Sequence, residues 1–130
     1  MNLKKSSLEA LFNLAKGTEG QLNLAESRVR DSFIKPLSET TQTYFNDRNK
    51  IYVEFCLKKE DGTPDLLDGD KYQFPKERLD EINKELQILA DEEVEVNTDN
   101  PAQIKAILEK SDYRPKVMEA EIIDGILSKF

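Results

Sequence analysis

From Leu24 to Lys59 the chain runs without a glycine, and its apolar residues recur at helical spacing. Val29, Phe33 and Leu37 are spaced by four, and Tyr44, Ile51, Phe55 and Cys56 continue the stripe. Asn23 and Glu26 stand three apart at its start, the reciprocal spacing of a capping box. One proline, Pro36, falls inside the run. It lacks an N–H and its ring crowds the preceding turn, so it predicts a bend or a short break. No cluster of Gly or Asn accompanies it, and the pattern predicts one long bent helix over Leu24–Lys59. Such a helix spans on the order of 50 Å at about 1.5 Å per residue. A helix of that length needs partners along its sides.

The flanking sequence supplies them. Ser6 precedes Glu9 at capping-box spacing, and Leu8, Leu11, Phe12 and Ala15 form one face. With Gly17 and Gly20 as stops, this predicts a helix over Ser7–Lys16. Gly62 and Pro64 end the long helix. Lys71–Phe74 alternates as a strand, and Pro75 opens a helix reaching Ala90, with Leu79, Ile82, Leu86 and Leu89 as its seam. Glu93–Val96 alternates again, and the two strands are predicted to pair with each other as an antiparallel ribbon. Asn100-Pro101 starts a short helix bearing Ile104, Ile107 and Leu108. Pro115 opens a last helix, where Met118, Ile122, Ile126 and Phe130 step by four. No repeat, linker or domain boundary interrupts the 130 residues. The expectation is a single α+β domain, mostly helical. The long helix packs in a hairpin with the second helix, beside short terminal helices and a two-stranded antiparallel ribbon.

Several chemistries are excluded. The chain has no histidine, which removes Ser–His and Cys–His nucleophile pairs and every histidine metal site. The one cysteine, Cys56, lies on the apolar stripe and reads as a buried thiol. The aspartates at 61, 65, 68 and 70 suggest a calcium loop, but the spacing fails. Counted from Asp61 the glycine position holds Leu66; counted from Asp65 it holds Asp70, and the last ligand position holds Lys76. These residues read instead as turn formers. Gly17-Thr18-Glu19-Gly20 puts an acid where a phosphate would sit and lacks the Gly-Lys-Ser/Thr ending of a phosphate loop. No catalytic residue, metal ligand or cofactor site is therefore assigned, and the chain is expected not to be an enzyme.

Charge narrows the partners. The net charge of -7 opposes nucleic-acid binding. No apolar run approaches the roughly 20 residues of a membrane span, so a soluble cytoplasmic protein is expected. Up to Lys59 ten Lys or Arg face seven Asp or Glu, whereas from Glu60 onward nine face nineteen. The two halves neutralise each other in part, and the acidic portion is a candidate face for a basic partner. On the long helix Arg28, Arg30, Lys35 and Arg48, together with Tyr44 and Tyr52, form the candidate surface for a protein partner or for a second copy of the chain.

Four segments stand in order: Lys-Lys-Glu-Asp-Gly-Thr-Pro from Lys58, Asp-Gly-Asp-Lys-Tyr-Gln-Phe from Asp68, Glu-Arg-Leu-Asp-Glu-Ile-Asn-Lys-Glu-Leu from Glu77, and Glu-Glu-Val-Glu-Val from Glu92. Their order resembles a widespread family of small proteins encoded by tailed bacteriophages and prophages. Family members show Lys-Asp-Glu-Asn-Gly and Gly-Asn-Tyr, then Phe-Asn-Lys-Glu, Leu-Leu and Glu-Glu-Val-Glu, in the same order. This chain departs in carrying Ile82 where relatives often have Phe, and Pro36 within the long helix. The family brings no catalytic residues. The resemblance implies a phage protein in the host cytoplasm, or incorporated in the virion, that binds a phage assembly partner or a host factor. A structural subunit of the virion and an acidic inhibitor of a host defence or transcription enzyme are the alternatives.

Overall fold

The long helix begins where its capping box places it. In the computed structural model, which describes residues 1–130, the Asn23 backbone N–H donates to Glu26 Oε1 at 3.1 Å. The Glu26 N–H donates back to Asn23 Oδ1 at 2.9 Å. Two helix-start donors are thereby satisfied reciprocally. The helix, α2, runs Leu24–Phe55 and carries Pro36 inside it without a break. The elements in chain order are β1 (Asn2–Lys4), a 3₁₀ turn, α1 (Leu8–Lys16), α2, β2 (Leu66–Leu67) and β3 (Lys71–Tyr72). A second 3₁₀ turn, α3 (Leu79–Asp91), β4 (Glu93–Glu95), α4 (Pro101–Leu108) and α5 (Val117–Leu127) follow. The fold is mostly helical, with long helices packed together and two-stranded antiparallel pairing.

The chain divides into two compact units, Met1–Gln42 with Glu93–Phe130, and Thr43–Glu92. In the first unit β1 pairs antiparallel with β4, Leu3 opposite Val94. Leu3, Leu8, Leu11, Ile107 and Leu108 are its most deeply buried large side chains. Phe33 and Leu37 from α2, Ile104 from α4, and Ile123 and Ile126 from α5 are buried with them. Phe130 meets the Phe33 ring edge-on, with centroids 6.0 Å apart. In the second unit β2 pairs with β3 across the turn Asp68-Gly69-Asp70. That turn holds Gly69 at φ 80° and Asp70 at φ 57°, the left-handed region that Gly and Asp tolerate best.

This pairing corrects the ribbon read from sequence. Lys71–Tyr72 joins Leu66–Leu67 rather than Glu93–Val96, and Glu93–Glu95 joins Asn2–Lys4. A strand closing on its neighbour through a tight turn loses less chain entropy than one closing around a whole helix. Other boundaries shift for equally local reasons. The long helix stops at Phe55, short of Lys59, because the backbone turns to other partners: Leu57 N–H donates to the Gln73 carbonyl and Lys59 N–H to that of Thr63. Ser6 and Glu9 do not mark the start of α1. Lys5–Ser7 is already a 3₁₀ turn, and Ser7 has helical φ and ψ and makes no side-chain capping bond. Pro75 is extended and precedes a 3₁₀ turn, so α3 begins at Leu79. On α5 the buried track runs through Ile123 and Ile126, while Met118 is 82% exposed.

Candidate functional site

The six residues proposed from sequence divide between the two units. Arg28, Arg30 and Lys35 belong to the first, and Tyr44, Arg48 and Tyr52 to the second.

In the first unit an open groove of about 480 Å³ lies between α1 and α2. On the α2 side, Arg30, Ile34 and Ser38 form one ridge at i, i+4 and i+8, and Lys35 and Glu39 form the next. From α1 come Phe12 and Lys16, with Glu19 from the turn that follows. Phe12 and Ile34 supply the apolar surface, and Lys16, Arg30 and Lys35 supply three cations against Glu19 and Glu39. The Lys16 ammonium sits 5.6 Å from the centroid of the Phe12 ring. Arg30 is held in place from outside the groove: its Nε and Nη2 donate to Asp31 Oδ1 at 3.1 and 2.6 Å. Its side chain remains 19% exposed, so the ion pair fixes its direction without sealing it off. Arg28 is exposed on α2 but does not line the groove.

In the second unit the aromatic residues hold the fold together. Tyr44 is buried, and Arg48 lies across both Tyr44 and Phe45, 5.7 and 4.8 Å from their ring centroids. Tyr52 packs against Tyr72 and Phe74 at 5.8 and 5.9 Å. Tyr72 Oη donates to Asn49 Oδ1 at 2.9 Å, tying β3 to α2. The guanidinium of Arg78 stands 4.3 Å from the Phe55 ring centroid. These side chains already have partners inside their own unit, which leaves the groove of the first unit as the better candidate site.

The aspartate-rich segment is built as a turn. Asp61 Oδ1 accepts from the Thr63 backbone N–H at 2.9 Å and from Thr63 Oγ1 at 2.6 Å. Those two bonds hold the Asp61 carboxyl below its ordinary value. No three Cys, Asp or Glu side chains converge in a way that could hold a metal ion. Cys56 is buried and its Sγ–H points at the Val53 carbonyl, 3.3 Å away.

Of the residues that line the groove, Arg30 and Lys35 are among those proposed from sequence, whereas Phe12, Lys16, Glu19, Ile34, Ser38 and Glu39 are not. The i, i+4 spacing of Phe12 and Lys16 places them on one face of α1, but nothing in the sequence says that this face meets α2. Compared with known proteins, the chain matches no family model, and neither a curated protein nor a solved structure is similar to it.

Proposed function

We propose that this chain is a non-enzymatic accessory protein of a tailed bacteriophage that acts by binding another protein, either a phage assembly component or a host factor. The observation that carries the binding role is the groove between α1 and α2, an apolar floor of Phe12 and Ile34 rimmed by the three cations Lys16, Arg30 and Lys35 against the two carboxylates Glu19 and Glu39. A surface of that kind suits an apolar segment flanked by carboxylates, since the cations steer and orient it while the floor gives it area to bury. The order of segments between Lys58 and Val96 supports the phage origin. The site of action is the host cytoplasm, with incorporation into the virion where the partner is a particle protein.

A photo-crosslinking side chain placed at Ser38 in the groove tests this in infected cells, with the same probe at Ser128 at the far end of α5 as control. One discrete adduct from Ser38 alone supports the reading. No adduct, or the same adducts from both positions, contradicts it. Peptide mass spectrometry of purified particles then separates a virion component from a host-directed factor.

A further inference from the structure

We propose that the outer edge of β4 is a second binding surface, one that takes an extended basic peptide segment as an added strand. This rests on the reading that the chain works by binding protein, and it concerns a different surface from the groove between α1 and α2.

The register of the β1–β4 pair decides which backbone groups are spent. Val96 N–H donates to the Met1 carbonyl at 2.8 Å, and the Met1 amino group donates to the Val96 carbonyl at 3.2 Å. That pair is the bonded kind, and antiparallel ladders alternate bonded and non-bonded pairs. Leu3 with Val94 is therefore bonded as well, whereas Asn2 with Glu95 and Lys4 with Glu93 are not. The N–H and C=O groups of Glu93 and Glu95 point away from β1. A two-stranded sheet has two such edges, and this one treats them differently. On β1, Lys129 from α5 reaches over to donate to the outward carbonyl of Asn2 at 3.2 Å. On β4 the outward N–H and C=O groups of Glu93 and Glu95 make no hydrogen bond.

Continuing along the chain, Glu95, Val96 and Asn97 face Phe33, Pro36, Leu37 and Thr40 across a crevice of about 110 Å³. It adjoins a pocket of about 280 Å³ that shares Phe33 and Asn97 and is lined by both polar and apolar side chains, Ser32, Thr98 and Asp99 beside Val29 and Ile104. The edge thus offers main-chain donors and acceptors with the carboxylates of Glu95 and Asp99 beside them, while Glu93 stands opposite Lys4 and lines a crevice with Lys4 and Lys129. Main-chain bonds would supply affinity to any strand, and the carboxylates select one bearing Lys or Arg. Exposed glutamates also discourage edge-to-edge pairing between copies of the chain, because like charges would then face each other.

The test is hydrogen exchange read by NMR on the full chain. The probe is a capped peptide alternating Lys and Val, and the controls are the same peptide with proline at alternate positions and one alternating Glu and Val. In the free protein the Glu93 and Glu95 amides exchange fast while that of Val94 is protected. Adding the Lys–Val peptide slows exchange at Glu93 and Glu95 and leaves Val94 unchanged. Glu93→Gln with Glu95→Gln weakens binding about tenfold, as does raising the salt concentration. Slow Glu93 and Glu95 amides in the free protein would overturn the proposal. So would binding of the proline-bearing peptide as tight as that of the Lys–Val peptide, or an absence of protection at saturating peptide. Because these readouts concern β4 alone, crosslinking at Ser38 fails or succeeds independently of them.

Discussion

Lys110 Nζ lies 2.5 Å from Glu26 Oε2, joining two residues 84 apart in sequence. The same glutamate closes the capping box of α2 through its other oxygen. One carboxylate therefore both starts the long helix and ties it to the turn after α4. The bond from Lys110, reinforced by the Asn23 N–H, holds the Glu26 carboxyl below its ordinary value of 4.5.

A pH dependence follows. The folded form prefers Glu26 ionised more than the unfolded chain does, so the stabilisation is fully present above the unfolded value near 4.5 and is lost as pH falls through the lower folded value. Glu26→Gln removes this contribution. Urea unfolding of the two proteins should show the variant less stable at neutral pH, with the gap narrowing as pH drops below about 4.5. A gap that stays constant down the acid limb would contradict the assignment.

Gly17 and Gly125 should respond oppositely to alanine. A Cβ on Gly17 would lie 2.8 Å from the Tyr113 backbone nitrogen and would also collide with Ser111 Oγ. Backbone on one side leaves little room to yield, and the Asp112 N–H is bonded to the Gly17 carbonyl at 3.0 Å. Gly17→Ala should cost about 1–3 kcal/mol through overpacking. Gly125, inside α5, meets nothing within 4 Å, so Gly125→Ala should stabilise by roughly 0.5–1 kcal/mol through helix propensity. Thermal melts of both variants beside the parent decide the matter.

The buried track of α5 gives a second contrast. Ile126 is 2% exposed and Met118 82% exposed. Ile126→Ala should destabilise by about 2–5 kcal/mol, whereas Met118→Ala should change stability by less than roughly 0.5 kcal/mol. Equal losses would mean that the face read from the i+4 spacing of Met118, Ile122, Ile126 and Phe130 is the packed one after all.

That spacing shows what sequence can and cannot deliver here. An i+4 track through Met118 and a neighbouring track through Glu119 and Ile123 both reach Ile126, and only the packing of α5 on α1 and the 3₁₀ turn before it chooses between them. The long helix was legible because periodicity and a capping box agree over many turns. Pro36 was visible too, although the predicted long helix simply continues through it. Strand existence could be read at Lys71 and Glu93, but alternation fixes a strand's faces and says nothing of its partner. β1 is three residues long, and its single exposed–buried–exposed alternation is too brief to stand out in the sequence. Of the candidate site, Arg30 and Lys35 could be found on α2, whereas the floor contributed by Phe12 exists only once α1 packs against α2.

The most direct measurement of the binding role compares capture by the parent and by the double variant Lys16→Glu with Lys35→Glu, both carrying the crosslinker at Ser38. Both cations rim the groove, and Lys35 is exposed enough for its charge to change without disturbing the core. Circular dichroism first establishes that the variant keeps the parent's helicity. The account predicts that the parent yields one crosslinked protein and that the folded variant loses that adduct. An adduct of equal yield in the folded variant would contradict the assignment of the groove as the binding surface.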